Sequence, residues 1–255
     1  MAKPSSTPAS ATALVIGGGG ALGSLVLERL LASRGFARLQ VLVSPAFRAA
    51  MQGLEARVVE SFDGEAPAAV AHTALLVFDR ERHANGRDNA FVRPQPEQLA
   101  QIAAWLHGQG VQHLIVVLPH DPFGLPEALK RGLANLDEHS VAALGFTHVV
   151  LIRSSQAATP LRAERWLQRL ADGVLAQLRI MLPATHQPVR VRKVAQLAVE
   201  VALRLSQHAP GTRVLPPELA WQAAQLADCA PLVEAWLAGT AGPIEADARS
   251  AVVRM

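Results

Sequence analysis

Seven residues near the start of the chain, Gly17-Gly18-Gly19-Gly20-Ala21-Leu22-Gly23, carry its clearest chemical signature. They satisfy GxGxxG counted from Gly18 and GxxGxxG counted from Gly17. An apolar run at 13–17 (ALVIG) precedes them, and Leu22, Leu25, Val26 and Leu30 then share one face of a helix expected over 21–33. Strand, glycine turn and helix in that order aim the amides of a helix start at an anion, and missing side chains let a pyrophosphate approach the backbone. Gly17, Gly18, Gly20, Ala21, Leu22 and Gly23 are therefore the candidate dinucleotide-binding residues; the alternative is a tight strand-to-helix turn and nothing more. The chain has no GxxxxGK[ST], which sets aside a P-loop nucleotidase.

Such a site chooses its cofactor at the end of the second strand, where an Asp or Glu accepts from the ribose 2′-OH of NAD and repels a 2′-phosphate. This chain reads Ser44-Pro45-Ala46-Phe47-Arg48 there. With no acid, a hydroxyl at Ser44 and a guanidinium at Arg48 suited to bidentate phosphate contact, NADP(H) is preferred over NAD(H). The ordinary reading of Arg48 is a solvated helix residue. Asp63, after the third strand, fits the adenine edge or caps a turn. Asp79-Arg80, after the fourth, falls near the nicotinamide ribose or forms a surface salt bridge.

The elements that must position these residues follow from hydrophobic pattern. Continuous apolar runs at 39–44, 56–61, 74–79, 113–118 and 148–153 read as strands, and stretches at 45–53, 95–108 and 125–144 read as helices between them. Strands without polar alternation, separated by helices, mean a parallel sheet covered on both faces, an α/β doubly wound architecture. After Arg153 the pattern changes to helices over 162–182 and 191–207. Trp166, Leu167, Leu170, Val174, Leu178 and Met181 recur at helical spacing in the first of these, as a core stripe or a homodimer contact. The expected organisation is a disordered tail over 1–12, one domain over 13–228 and a loosely attached tail over 229–255.

Composition narrows the function classes. At 255 residues and 50% hydrophobic, the chain buries a core without staples. Cys229 stands alone, which excludes an intramolecular disulfide, a Cys-based zinc site and a thiol redox pair, and points to a reducing compartment. His72, His107, His113, His139, His148 and His186 lack ligand spacing, so no metal site is expected. The net charge of +3 is carried mainly by Arg dispersed along the chain; its densest cluster, Arg190, Arg192 and Lys193, has no aromatic interleaving and reads as a solvated helix start rather than a nucleic-acid surface. Pro4 to Leu27 is free of charge, but four consecutive glycines break it into apolar runs too short to span a bilayer, and the stretch before them makes a poor signal peptide. A soluble cytoplasmic protein without a membrane segment is the expectation.

Beyond the glycine turn, AFVRPQ (90–95), GVQHLIVVL (110–118) and PVRVRKVAQLAVEVAL (188–203) follow in order, with Asp63 between. With these pieces the chain resembles the atypical short-chain dehydrogenase/reductase superfamily, in particular the NAD(P)H-binding group that includes the Tat-interacting oxidoreductase-like proteins, over about residues 13–224. The resemblance implies a Rossmann-like fold with C-terminal helices and a cofactor that is usually NADP(H). It also implies a catalytic Ser or Thr after the fifth strand and a Tyr-x-x-x-Lys on the next helix, in which the phenol acts as acid and the Lys lowers its pKa. The chain departs from this pattern. It contains no Tyr at all; Leu118-Pro119-His120-Asp121 offers no hydroxyl, Lys130 is preceded four residues earlier by Pro126, and Lys193 stands where many relatives carry Asp. His120 is a stand-in acid/base by its titration range, or a loop histidine bonded to Asp121. The expected function is an NAD(P)(H)-binding protein without the superfamily's catalytic set, acting as a cofactor-responsive regulator or scaffold. The alternatives are an NADPH-dependent oxidoreductase with non-standard acid/base groups and a cofactor-free dimeric interaction module.

Overall fold

Seven short stretches rich in Val, Leu and Ile pair side by side, and every pairing is parallel. A computed structural model describes residues 11–44, 53–59, 61–62, 71–79, 90–118, 139–153 and 189–240. Its strands are β1 (Thr12–Ile16), β2 (Arg38–Val43), β3 (Glu55–Val58), β4 (Thr73–Val77), β5 (His113–Leu118), β6 (His148–Arg153) and β7 (Gly211–Leu215). The helices are α1 (Gly20–Ser33), α2 (Leu99–Gly108), α3 (Val191–Arg204), α4 (Pro217–Gln225) and α5 (Ala230–Leu237). Strand order across the sheet is β3-β2-β1-β4-β5-β6-β7. The chain therefore builds outward from β1 in one direction and, beginning with β4, outward in the other. The switch falls between β1 and β4, as in doubly wound Rossmann-like sheets.

The central strands are buried along their length because each face of the sheet meets its own helical layer. Ala13, Val15, Val41, Val43, Leu75, Val77, Ile115 and Val117 pack with α1, α3, α4 and α5. Their alternate neighbours Leu14, Ile16, Leu42, Ala74, Leu76, Leu114 and Val116 pack with Leu99, Ile102, Trp105 and Leu106 of α2. The period of two along a strand sends successive side chains into the two layers, which is why apolar runs without polar alternation suit this sheet. On the α2 side Phe62 meets Trp105 edge-to-face, ring centroids 5.5 Å apart. On the other, α1 and α3 come so close at Gly35 that a Cβ there would strike Leu203.

Two expectations about the C-terminal region change. A seventh strand, β7, extends the sheet beyond β6, where sequence pattern gave none. The stretch from residue 229, expected to be loosely attached, opens with α5, whose Val233 and Leu237 are buried in the same core as Cys229. Its Pro231 at the helix start leaves Leu232, Val233, Trp236 and Leu237 at helical spacing to face that core. Lys193 of α3 donates to the carbonyl of Leu226, and Gln196 Nε2 donates to that of Ala227 at 3.1 Å, tying the chain between α4 and α5 to α3. The expected helices at 45–53, 125–144 and 162–182 fall wholly or mostly outside the described residues, as do the tails 1–10 and 241–255.

Candidate functional site

At the carboxyl ends of β1 and β4 the chain makes the turn that the sequence singles out. Gly17 leaves β1 at φ +87° and Gly20 enters α1 at φ +77°, a region that L side chains seldom adopt. A Cβ at Gly17 would collide with the carbonyl of Val77, the last residue of β4. A Cβ on Gly23 would strike the carbonyl oxygen of Gly17, so this glycine lets α1 lie against the turn it grows from. Gly18 is closed in by Leu27, Val41 and Phe91. These contacts match the first and third roles of a dinucleotide-binding glycine set, the tight turn and the close helix-to-strand packing.

Gly20 differs from the others in what it faces. The three nearest atoms to a Cβ built there all belong to the Asp79 side chain, with Oδ2 at 2.5 Å. Asp79 follows β4 and reaches across the switch point, where its Oδ2 accepts from the backbone N–H of Leu22 at 2.6 Å. The position of Gly20 is the one through which a pyrophosphate would approach the backbone. The start of α1 has need of such an acceptor: Gly19 at the N-cap brings no side chain, and the first turn contains no acidic residue. Asp79, expected near a nicotinamide ribose or in a surface salt bridge, meets the start of α1 with its carboxylate. The bond joins residues 57 apart in sequence, and its one sequence signal is an acid directly after a buried apolar strand beside β1.

The end of β2 is crossed by a second segment. Val43 forms an antiparallel bridge with Phe91, Ser44 N donates to the Ala90 carbonyl at 2.9 Å, and Val92 N donates to that of Leu42 at 3.2 Å. The Ser44 hydroxyl lies 3.4 Å from the same Ala90 oxygen, which it uses as an acceptor. Residues 90–94 thus flank the glycine turn, with Phe91 beside Gly18 and Pro94 beside Gly17. Ala21 and Leu22 lie in the first turn of α1, and Leu22 is buried. The structure thus brings Gly17, Gly18, Gly20, Ala21, Leu22 and Gly23 together at the switch point, with Ser44 at the end of neighbouring β2. Arg48, Asp63, Arg80, His120, Asp121 and Lys130 lie outside the described residues. Lys193 belongs to the packing of α3 described above.

A second group of titratable residues gathers at the opposite, amino-terminal end of the sheet. His113 and His148 begin β5 and β6, and their rings meet edge-to-face with centroids 4.9 Å apart. Burial, followed by the neighbouring His113, Arg213 and His208, lowers the pKa of His148 to about 4. Burial and then His72 lower that of His113. The Nδ1 atoms of both rings are buried without a hydrogen-bond partner among the described residues. His208 lies 3.3 Å from the Glu234 carboxylate of α5. Among the described residues no group of three or more His, Cys, Asp or Glu is placed to hold a metal ion, and no helix is long and apolar enough to cross a membrane.

No family model matches the chain, and no curated protein matches it. Solved structures do resemble it. A Rossmann-fold NAD(P)-binding family protein from Shigella flexneri is 14% identical, covering 78% of this chain and 90% of its own, with a TM-score of 0.46. UDP-glucose 4-epimerase from Brucella ovis in complex with NAD is 15% identical over 80% of this chain and 76% of its own, TM-score 0.47. A mutated uronate dehydrogenase is 13% identical over 93% and 89%, TM-score 0.48. The activities of those proteins do not carry over at such distances; the Rossmann-like order is read from this chain's own strands.

Proposed function

We propose that this chain binds a nicotinamide dinucleotide at the glycine turn and serves as a cofactor-responsive regulatory or scaffold protein. The observation that carries the reading is the placement of Gly17, Gly20 and Gly23 at the β1/β4 switch point, with the backbone of α1 opening toward it. Gly17 turns the chain, Gly23 seats α1 on the turn, and Gly20 leaves the notch through which a pyrophosphate would reach the amides of Ala21 and Leu22. A nicotinamide dinucleotide, when bound, supplies hydride transfer. In the superfamily that the sequence resembles, a tyrosine phenol supplies the proton; this chain has no tyrosine to offer. Binding without efficient turnover follows from that pairing of a cofactor cradle with a missing acid.

The preference is for NADP(H). β2 ends at Val43, and the residues that follow it, Ser44-Pro45-Ala46-Phe47-Arg48, include no carboxylate to repel a 2′-phosphate. Ser44 would exchange its Ala90 bond for the phosphate, and Arg48 would supply the charge. Calorimetric titration of NADPH and NADH into the full chain tests the reading. Binding of NADPH more tightly than NADH is expected, and no heat from either at millimolar concentration rejects it. Following NADPH absorbance against a panel of carbonyl compounds, with His120→Ala as control, tests the missing chemistry: turnover is expected to be absent, and turnover abolished by the substitution would make the chain an oxidoreductase with His120 as its acid.

A further inference from the structure

We propose that Asp79 is a built-in competitor for the phosphate position of the glycine turn, so that the chain's dinucleotide affinity is set by displacement of this carboxylate. The proposal rests on the dinucleotide reading above and adds its regulation. Three observations meet at one place. The Asp79 Oδ2 accepts from the backbone N–H of Leu22, at 2.6 Å, so a carboxylate holds an amide of the helix start. The same oxygen is the nearest atom to the notch that Gly20 leaves, 2.5 Å from where a Cβ would stand. The helix start it serves has neither an N-cap side chain nor an acid in its own first turn, so the partial positive charge of α1 is answered from β4.

A pyrophosphate seeks the same amides and the same partial charge. It brings negative charge against a carboxylate already seated there, and the two anions repel. Dinucleotide binding must therefore move Asp79 off Leu22, and the apparent affinity is lowered by the fraction of molecules in which it has moved. The carboxylate stabilises the unliganded turn and opposes its occupation, which makes the two states exclusive rather than graded. A cofactor-responsive protein gains from this a local change at the end of β4 whenever the dinucleotide arrives: Asp79 leaves α1.

The experiment compares wild type, Asp79→Asn and Asp79→Ser by calorimetric titration with NADPH, alongside urea unfolding of each protein without ligand. Asn keeps an acceptor oxygen for Leu22 N–H and removes the charge; Ser also removes the reach across the notch. Both substitutions are expected to tighten NADPH binding, by about ten- to hundredfold, the worth of a hydrogen bond to a charged group. Both are expected to lower the urea midpoint of the unliganded chain. Equal affinity in all three proteins overturns the competition while leaving the dinucleotide reading standing, and weaker binding by the variants makes Asp79 a ligand contact instead. If none of the three binds NADPH or NADH, the dinucleotide reading falls and the competition with it.

Discussion

Lowering the pH from 7.5 to 5 should cost the fold about 2 kcal/mol through His148 alone. In the folded chain this imidazole remains neutral down to about pH 4, chiefly because it is buried at the start of β6, with His113, Arg213 and His208 adding to the effect. In the unfolded chain it protonates around its ordinary value of 6.5. Between those two pH values the unfolded state binds the extra proton, so stability is fully present above about pH 6.5 and falls as pH falls toward 4. The full difference of roughly 2.5 pH units corresponds to about 3 kcal/mol, of which about 2 is lost by pH 5. Urea unfolding at pH 7.5, 6 and 5 measures it. His148→Phe keeps a flat ring against His113 and removes the proton site, so its stability should fall much less over the same range. A residual slope belongs to His113, whose pKa burial and His72 also lower. If His148→Phe loses as much stability between pH 7.5 and 5 as wild type does, the neutral buried imidazole is not what makes the fold acid-sensitive.

Three further perturbations test the placement of the elements. Gly23→Ala puts a methyl against the Gly17 carbonyl and within 3.0 Å of two backbone carbons, atoms that cannot step aside, and should destabilise by about 3 kcal/mol or more by urea unfolding. Gly108→Ala, at the end of α2 with nothing within 4 Å of the new methyl, should instead stabilise by about 0.5–1 kcal/mol; a Gly23→Ala protein as stable as wild type would contradict the packing of α1 on the turn. The Cys229 thiol, 1% exposed, has its pKa pushed up to about 11, first by burial and then by Glu200 and Asp228. Alkylation by iodoacetamide at pH 8 should therefore be slow in the native chain and fast in urea, whereas equal rates would place α5 off the core.

The parts of this fold that sequence pattern reveals are those in which one residue run alone determines the outcome. HLIVVL and HVVLIR, apolar after their first histidine up to the closing Arg153 of the second, are strands because a parallel sheet covered on both faces needs such runs, and they appear where expected as β5 and β6. β7 (GTRVL) escaped because it is an edge strand: four of its five residues are partly or fully exposed, Thr212 and Arg213 interrupt its apolar character, and only pairing with β6 makes it a strand. The last two helices, α4 and α5, escaped for a related reason. APLVEAWL is short, and its partners on α3 lie some thirty to forty residues earlier in the chain. Pattern over a window sees the face of a helix and not the surface that receives it.

The glycine turn shows the same limit at the level of chemistry, and it shows how to go past it. Gly17 and Gly23 are required by the chain's own backbone, since side chains there would meet Val77 and Gly17 carbonyls whether or not any ligand binds. A motif match scores those two glycines as evidence for a dinucleotide, yet the packing of the turn requires them as well, and it is their place at the switch point that the dinucleotide reading uses. Gly20 is the discriminating residue, because what it faces is a polar notch between α1 and the end of β4, and the group that stands in the notch is an anion. A helix start that recruits a carboxylate from a neighbouring strand is a helix start suited to anions. On the proposed reading, the side chain that opposes a phosphate also marks the place where a phosphate would sit, because Asp79 Oδ2 stands at the Leu22 amide and beside Gly20.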